Sequence, residues 1–371
     1  MVFRIGAWAG RGLARMNFGM DWLERAKELW RPRQRPRCAL ALAGGGVIGG
    51  MYEVGAITAL EERMNSHGRF DIYIGCSAGA VVASILAAGV PASELFRIID
   101  HDLDDPLNFR RSAVFASDSF RHAAGRFGRL VWAIGKNAIR GMRGSVPDML
   151  AHAEHDLPAG FFGLETLERF MREAFDKRGL RNSFPELERT LLIPAIDLDS
   201  AQRVVFGRDE LRDVPISVAI AASSAIPGFF EPYTVAGHDY VDGGVGFSGH
   251  ADLAAEGGAR VVIVVNPLVP NNGKTAAPLR SRGLYSIMEQ AGRIYSQNLL
   301  QLGLTTLRMK YPRTEFFLIQ PSQAKAPLFG PSMGFEASRA ALRFGYESTR
   351  EWLDEHGAPL LKRLQLQALA V

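Results

Sequence analysis

Apolar positions along the chain fall into short blocks cut by glycines, alternating with longer stretches whose apolar residues recur at helical spacing. Residues 38–43 are an apolar run of strand length; the glycine-rich stretch 44–50 follows, and then a helical pattern to about residue 65. A second strand over 70–75 breaks sharply at Gly75-Cys76-Ser77-Ala78-Gly79 into an Ala/Val/Ile-rich helix. These pieces make a β-α-β-α unit with right-handed parallel topology expected. Further along, the pattern predicts a helix over 165–178, strands over 190–197 and 203–206 around a turn at 198–202, a small-residue helix over 216–224, and strand signals at 240–244 and 260–266. A loop over 270–283, a long helix over 284–309, a strand over 315–320 and a helix over 336–356 complete the series. Strands alternating with helices predict an α/β fold with three layers, α/β/α, around a central, mostly parallel sheet.

Residues 104–163 break this rhythm. They are helical in pattern, basic and punctuated by glycine, and read as an inserted helical cap. The Arg-Pro-Arg-Gln-Arg-Pro-Arg run at 31–37 excludes a helix interior and separates a basic extension, 1–37, from the body. The expected division is therefore that extension, a main domain over 38–320 carrying the cap, and a helical segment over 321–371 packing on it.

Composition refines this picture in three ways. The 371 residues are 47% hydrophobic and 22% charged, which excludes a disordered, collagenous or coiled-coil chain. Two cysteines, Cys38 and Cys76, exclude a disulfide framework, so a cytoplasmic setting is expected, with no secretion signal and no spanning segment. The net charge of +4 is local: residues 1–37 carry nine Lys/Arg against three Asp/Glu, and residues 107–145 carry eight Lys/Arg against Asp118 alone. Aromatic and aliphatic residues interleave with both basic segments, the mixture of an amphipathic helix on an anionic surface, so a peripheral position on the inner face of a membrane is expected. No helix-turn-helix, zinc or RNA-recognition pattern accompanies the charge, so nucleic acid is not an expected partner.

Three motifs carry candidate chemistry. Gly75-Cys76-Ser77-Ala78-Gly79 fits G-x-S-x-G at a strand-to-helix turn, where a strained backbone projects the hydroxyl and the helix N-terminus favours an anion. Gly44, Gly46 and Gly49 fit the dinucleotide fingerprint G-x-G-x-x-G, but that reading wants an acid at the end of the second strand, where Cys76 and Ser77 stand instead. The loop serves better as a set of backbone N–H donors beside Ser77, an oxyanion hole. For a base, the late histidines His250 and His356 sit in no clear strand-to-helix loop, whereas Asp242, ahead of Gly243-Gly244, stands at a strand end; spacing alone leaves this open against an ordinary Asp-Gly turn. Asp197-Leu198-Asp199 offers a weaker alternative, a D-x-D metal site. No metal and no cofactor are expected.

Gly44-Gly45-Gly46, Gly75-Cys76-Ser77-Ala78-Gly79, the stretch from Ala222 to Pro232 and Val241-Asp242-Gly243-Gly244 occur in the order and at the spacing of the patatin-like phospholipases, which the chain resembles over residues 38–266. The resemblance implies a serine acyl hydrolase acting on lipid esters through an acyl-enzyme on Ser77, with Asp242 as base, no histidine, and backbone donors from Gly44, Gly45 and Gly46. One position departs from the pattern. Where the family usually carries Arg or Lys two residues after the third glycine, this chain has Ile48, which leaves a catalytically weak lipid-binding or scaffold protein as the alternative.

Overall fold

A computed structural model describes residues 37–64, 70–114, 125, 128, 132, 159–246, 249–270, 279–322 and 333–368. The basic extension, most of the basic segment 107–145 and most of the expected cap lie outside the described residues. Within residues 36–370, which form one compact unit, β1 (Arg37–Leu42) leads through the glycine loop into α1 (Gly46–Arg63), and β2 (Ile72–Gly75) leads into α2 (Ala78–Ala87). Then follow α3 (Ala92–Asp100), α4 (Glu165–Lys177), β3 (Thr190–Asp197), β4 (Gln202–Phe206), α5 (Ile216–Ser223), β5 (Tyr233–Val235), β6 (His238–Asp242), α6 (Ala251–Glu256) and β7 (Ala259–Val265). The long α7 (Leu284–Lys310), β8 (Glu315–Ile319), α8 (Ser338–His356) and α9 (Ala358–Ala368) close the chain.

The sheet order is β5-β6-β3-β2-β1-β7-β8, with β4 also pairing β3. The pairs β3–β2, β2–β1, β1–β7 and β7–β8 are parallel, and the β4, β5 and β6 pairings are antiparallel. Side chains alternate between the faces of a strand, so each central strand feeds two cores. Leu40, Leu42, Tyr73, Ile193, Ile263 and Val265 join the core beneath α1, α2, α3, α4 and α8. Ala39, Ala41, Ile72, Ile74, Val262 and Val264 join the opposite core, closed by α6 and the buried seam Leu300, Leu304 and Leu307 of α7. The result is the three-layer α/β/α arrangement, and α1, buried from Gly46 through Glu61, is its most enclosed helix.

The elements missed by periodicity are short: α3, α6 and β5, the first strand of the β5–β6 hairpin whose second strand falls on the signal at 240–244. That hairpin matters because it supplies Asp242. β2 pairs with the first residues of β3 (Ile74 opposite Leu192), and β6 runs antiparallel against its last three (Asp242 opposite Ala195). The C-terminal ends of β2 and β6 therefore converge, and residues 166 apart in sequence meet there.

Candidate active site

Ser77 adopts φ 56° and ψ −130° between β2 and α2, a conformation that costs a non-glycine residue about 1–3 kcal/mol. The surroundings leave no room for relaxation. A side chain on Gly75 would meet the Gly79 carbonyl at 2.3 Å, and one on Gly79 would meet that of Leu42 at 2.7 Å, so both small flanks of the motif are dictated by close backbone approach. Ser223, in the last turn of α5, braces the bend: its Oγ donates to the Pro194 carbonyl (2.6 Å) and accepts from the Ser77 N–H (3.1 Å).

Asp242 ends β6, and its backbone N–H donates to the Ala225 carbonyl at 3.0 Å. Its buried carboxylate accepts from the Gly244 N–H (2.8 Å) and from the Cys76 thiol (3.5 Å), and the Ser77 side chain lies near enough to act on it. Burial pushes its pKa above the ordinary 3.8, and Ser77, the Gly244 N–H and the Cys76 thiol pull it part of the way back. The same burial, reinforced by the adjacent Asp242 carboxylate, pushes the Cys76 thiol well above 9.

The glycine loop lies against this pair, since a Cβ on Gly44 would stand 2.2 Å from the Cys76 carbonyl and 2.9 Å from Ser77 Cβ. Its three glycines are not equivalent. The Gly44 N–H is committed to Glu53 Oε1 at 2.7 Å. The N–H groups of Gly45, Gly46 and Ala78 make no hydrogen bond among the described residues, and Gly46 and Ala78 line the same cleft as Ser77. Ala78, the residue after the serine, is a donor that attention to the glycines alone overlooks.

Ser77 lines an almost wholly apolar cleft of about 70 Å³, together with Gly46, Met51, Val81, Ile85, Phe109 and Phe170. Ser224, whose buried hydroxyl has no partner, also lines it.

Two other sequence candidates lie apart from the serine's hydroxyl. His250 is buried and bonds the Gly243 carbonyl, and His356 is exposed at the end of α8 beside Glu355. Asp197 closes a turn, its Oδ1 accepting from the Asp199 N–H (2.9 Å) and the Ser200 N–H (3.1 Å) and its Oδ2 facing His238 Nδ1 at 3.4 Å. Asp197, Asp199 and His238 each bring one possible ligand atom within 4.8 Å of the others, yet the first of these carboxylates is already occupied by the turn. Ser223, Glu53 and the thiol of Cys76 are the neighbours that sequence reasoning missed. A lone acid within the apolar run Met51 to Ile57 was the legible signal for Glu53.

A strained serine on a strand-to-helix turn beside a buried aspartate, at the edge of a three-layer sheet fold, sets the chain among α/β proteins of the patatin-like class. The patatin-like phospholipase family matches residues 40–254, more than half of the chain, and the protein belongs to that family. Probable lipid hydrolase 463L of Invertebrate iridescent virus 6 is 23% identical over 212 residues, 57% of this chain and 61% of its own, so the chain spans less than two thirds of that relative. Among solved structures, VipD from Legionella pneumophila is similar at 18% identity and a TM-score of 0.36, over 87% of this chain and 67% of its own. The type III effector ExoU of Pseudomonas aeruginosa is similar at 16% identity and a TM-score of 0.38, over 90% of this chain and 53% of its own.

Proposed function

We propose that the protein is a serine acyl hydrolase that cleaves lipid esters through an acyl-enzyme on Ser77, with Asp242 as the base. The observation that supports this reading is Ser77, held on a strained turn beside the buried Asp242 carboxylate and lining an apolar cleft. Ser77 Oγ attacks the ester carbonyl carbon while its proton passes to Asp242, and the oxyanion that forms is held by the N–H groups of Gly45, Gly46 and Ala78. Each such donor is worth about 10²–10³ in turnover in comparable sites. Collapse breaks the ester C–O bond, and the departing alcohol takes the proton from Asp242. Water then gives a proton to Asp242 and its oxygen to the acyl carbon, and expulsion of Ser77 Oγ, reprotonated by Asp242, releases the acid.

The cleft supplies the substrate class. Its lining has no charged side chain and suits an acyl chain rather than a head group. A lipid surface is accordingly the partner, approached from the cytoplasmic side; among the described residues no helix is long and apolar enough to cross a membrane.

Intact-mass spectrometry after treatment with a fluorophosphonate tests the reading on wild type and Ser77→Ala, alongside turnover of phospholipid vesicles. A single adduct that disappears in Ser77→Ala, with turnover lost in Ser77→Ala and Asp242→Ala alike, is expected. Vesicle binding without adduct or turnover would instead support the lipid-binding scaffold.

A further inference from the structure

Two buried acids, Glu53 and Glu61, lie on the enclosed helix α1. Glu61 is fully used, accepting from the Ala92 and Ser93 N–H groups at 3.0 and 3.2 Å and so closing the first turn of α3. Glu53 is not. It has no exposure at all, its Oε1 accepts from the Gly44 N–H, and its Oε2 has no partner among the described residues. Burying half of a carboxyl group unpaired carries a desolvation cost that an apolar residue at this position would avoid. The one bond it makes is to the first glycine of the loop beside Ser77.

We propose that Glu53 is a positioning residue for the oxyanion cradle, that its hold on the Gly44 N–H turns the next two peptide groups toward Ser77, and that it does so as the neutral acid. This rests on the serine hydrolase reading and deepens it. Taking up the Gly44 N–H fixes the peptide plane between Ala43 and Gly44, and the positive φ angles of Gly44, Gly45 and Gly46 (77°, 121° and 66°) then carry the loop into α1. A neutral carboxyl accepts that hydrogen bond without placing an anion beside the position where the ester oxygen becomes negative.

The electrostatic surroundings agree. Burial pushes the Glu53 pKa from 4.5 up to about 8, and the Gly44 hydrogen bond only partly offsets it. The titratable group that faces it is the Cys76 thiol, itself beside Asp242. From α2, α3 and α8, which pack on α1, no charged side chain among the described residues acts on it. Other perturbed groups near the site titrate elsewhere: Cys76 well above 9, Tyr52 at about 12, and His250 at about 3. An alkaline fall in activity centred near pH 8 therefore belongs to Glu53.

The test measures kcat and KM for p-nitrophenyl butyrate, and the rate of Ser77 labelling by a fluorophosphonate, from pH 5 to 10 in wild type, Glu53→Gln and Glu53→Leu. Wild-type turnover is expected to fall about tenfold per pH unit above the transition. Glu53→Gln keeps an uncharged acceptor for Gly44 and is expected to retain the neutral-pH rate while losing the alkaline fall. Glu53→Leu is expected to lose about 10- to 100-fold in kcat with KM little changed, because the cradle acts on the transition state. A merely structural Glu53 would leave the pH profile alone. Labelling of Ser77 together with an unchanged alkaline fall in Glu53→Gln overturns this proposal alone, and that variant decides even where Glu53→Leu fails to fold. Absence of Ser77 labelling and turnover in wild type overturns the serine hydrolase reading and this one with it.

Discussion

His250 bonds through Nε2 to the carbonyl oxygen of Gly243, the residue directly after Asp242, at 3.2 Å. Its Nδ1 faces Arg203 at 3.3 Å, and the same guanidinium grips Asp252 through two bonds of 3.0 and 2.6 Å. A carbonyl on one side and a guanidinium on the other assign the neutral tautomer with its proton on Nε2. Burial, followed by the Arg203 charge, holds the ring pKa down at about 3. The histidine thus serves the aspartate by pinning the turn behind it.

His250→Ala is expected to destabilise the fold by about 1–3 kcal/mol, since the Gly243 carbonyl loses a buried partner. His250→Gln, which can still donate, should recover part of this. The pH dependence has a definite sign. The unfolded ring binds a proton below about 6.5 while the folded ring stays neutral down to about 3, so stability from this site is complete above 6.5 and is lost as pH falls through that window. Thermal unfolding of wild type and His250→Gln from pH 8 to 4 checks it: the wild-type advantage should shrink on acidification.

Asp242→Asn separates function from stability. Between 3.8 and its raised folded value the native state holds the proton more tightly, so the buried carboxylate lowers stability as pH rises through that range. Asparagine removes the charge and keeps an oxygen for the Gly244 N–H. Turnover should fall about 10²–10⁴-fold while the Tm at pH 7 stays level or rises. In wild type the acid limb of kcat/KM should lie above 3.8. A limb at or below that value would contradict the burial argument.

The sequence made the β-α-β-α start and the Ser77 turn legible because each follows from local signals, an apolar run and closely spaced glycines, whereas Asp242 at its strand end read equally as an ordinary Asp-Gly turn until the family resemblance singled it out. What it withheld depends on residues far apart in the chain. The register of β3 decides that β2 and β6 converge, and no local pattern encodes that register. Ser223 looked like part of a small-residue helix, yet it is the hydroxyl that ties the Ser77 N–H to the Pro194 carbonyl. His250 was weighed as a base because its type suggests one. Only its burial and its two partners show that both ring nitrogens are already engaged. The equivalence of Gly44, Gly45 and Gly46 as donors was a fair reading of three glycines, and it took the Glu53 carboxyl, nine residues on, to distinguish the first from the others.

The packing of α8 on α1 offers a prediction about the fold alone. A Cβ on Gly345 would lie 2.2 Å from the Tyr52 carbonyl oxygen, and one on Gly55 would lie 2.0 Å from that of Leu342. Both obstacles are backbone. Alanine gains about 1 kcal/mol of helix propensity over glycine, but forcing two helices apart costs more, so Gly345→Ala should lose about 2 kcal/mol net. Gly292→Ala in α7, where nothing lies within 4 Å, is the control and should gain roughly 0.5–1 kcal/mol. Denaturant midpoints for the two variants should therefore move in opposite directions.

Ile48 stands where the resemblance leads to an expected Arg or Lys, and the structure gives it a specific environment. It stands in the first turn of α1, buried, in the same core as Val47 and Met51. An arginine placed there would meet two penalties, desolvation of its charge and the positive end of the helix dipole. The N–H groups of Gly45, Gly46 and Ala78 need no side chain at this position to remain free. Ile48→Arg is therefore expected to lower the Tm by several degrees and to leave kcat no higher than wild type. Thermal unfolding and turnover measured on the same preparation check both halves. A rise in kcat would mean that the missing cation limits oxyanion stabilisation, and that the isoleucine damps an otherwise complete site.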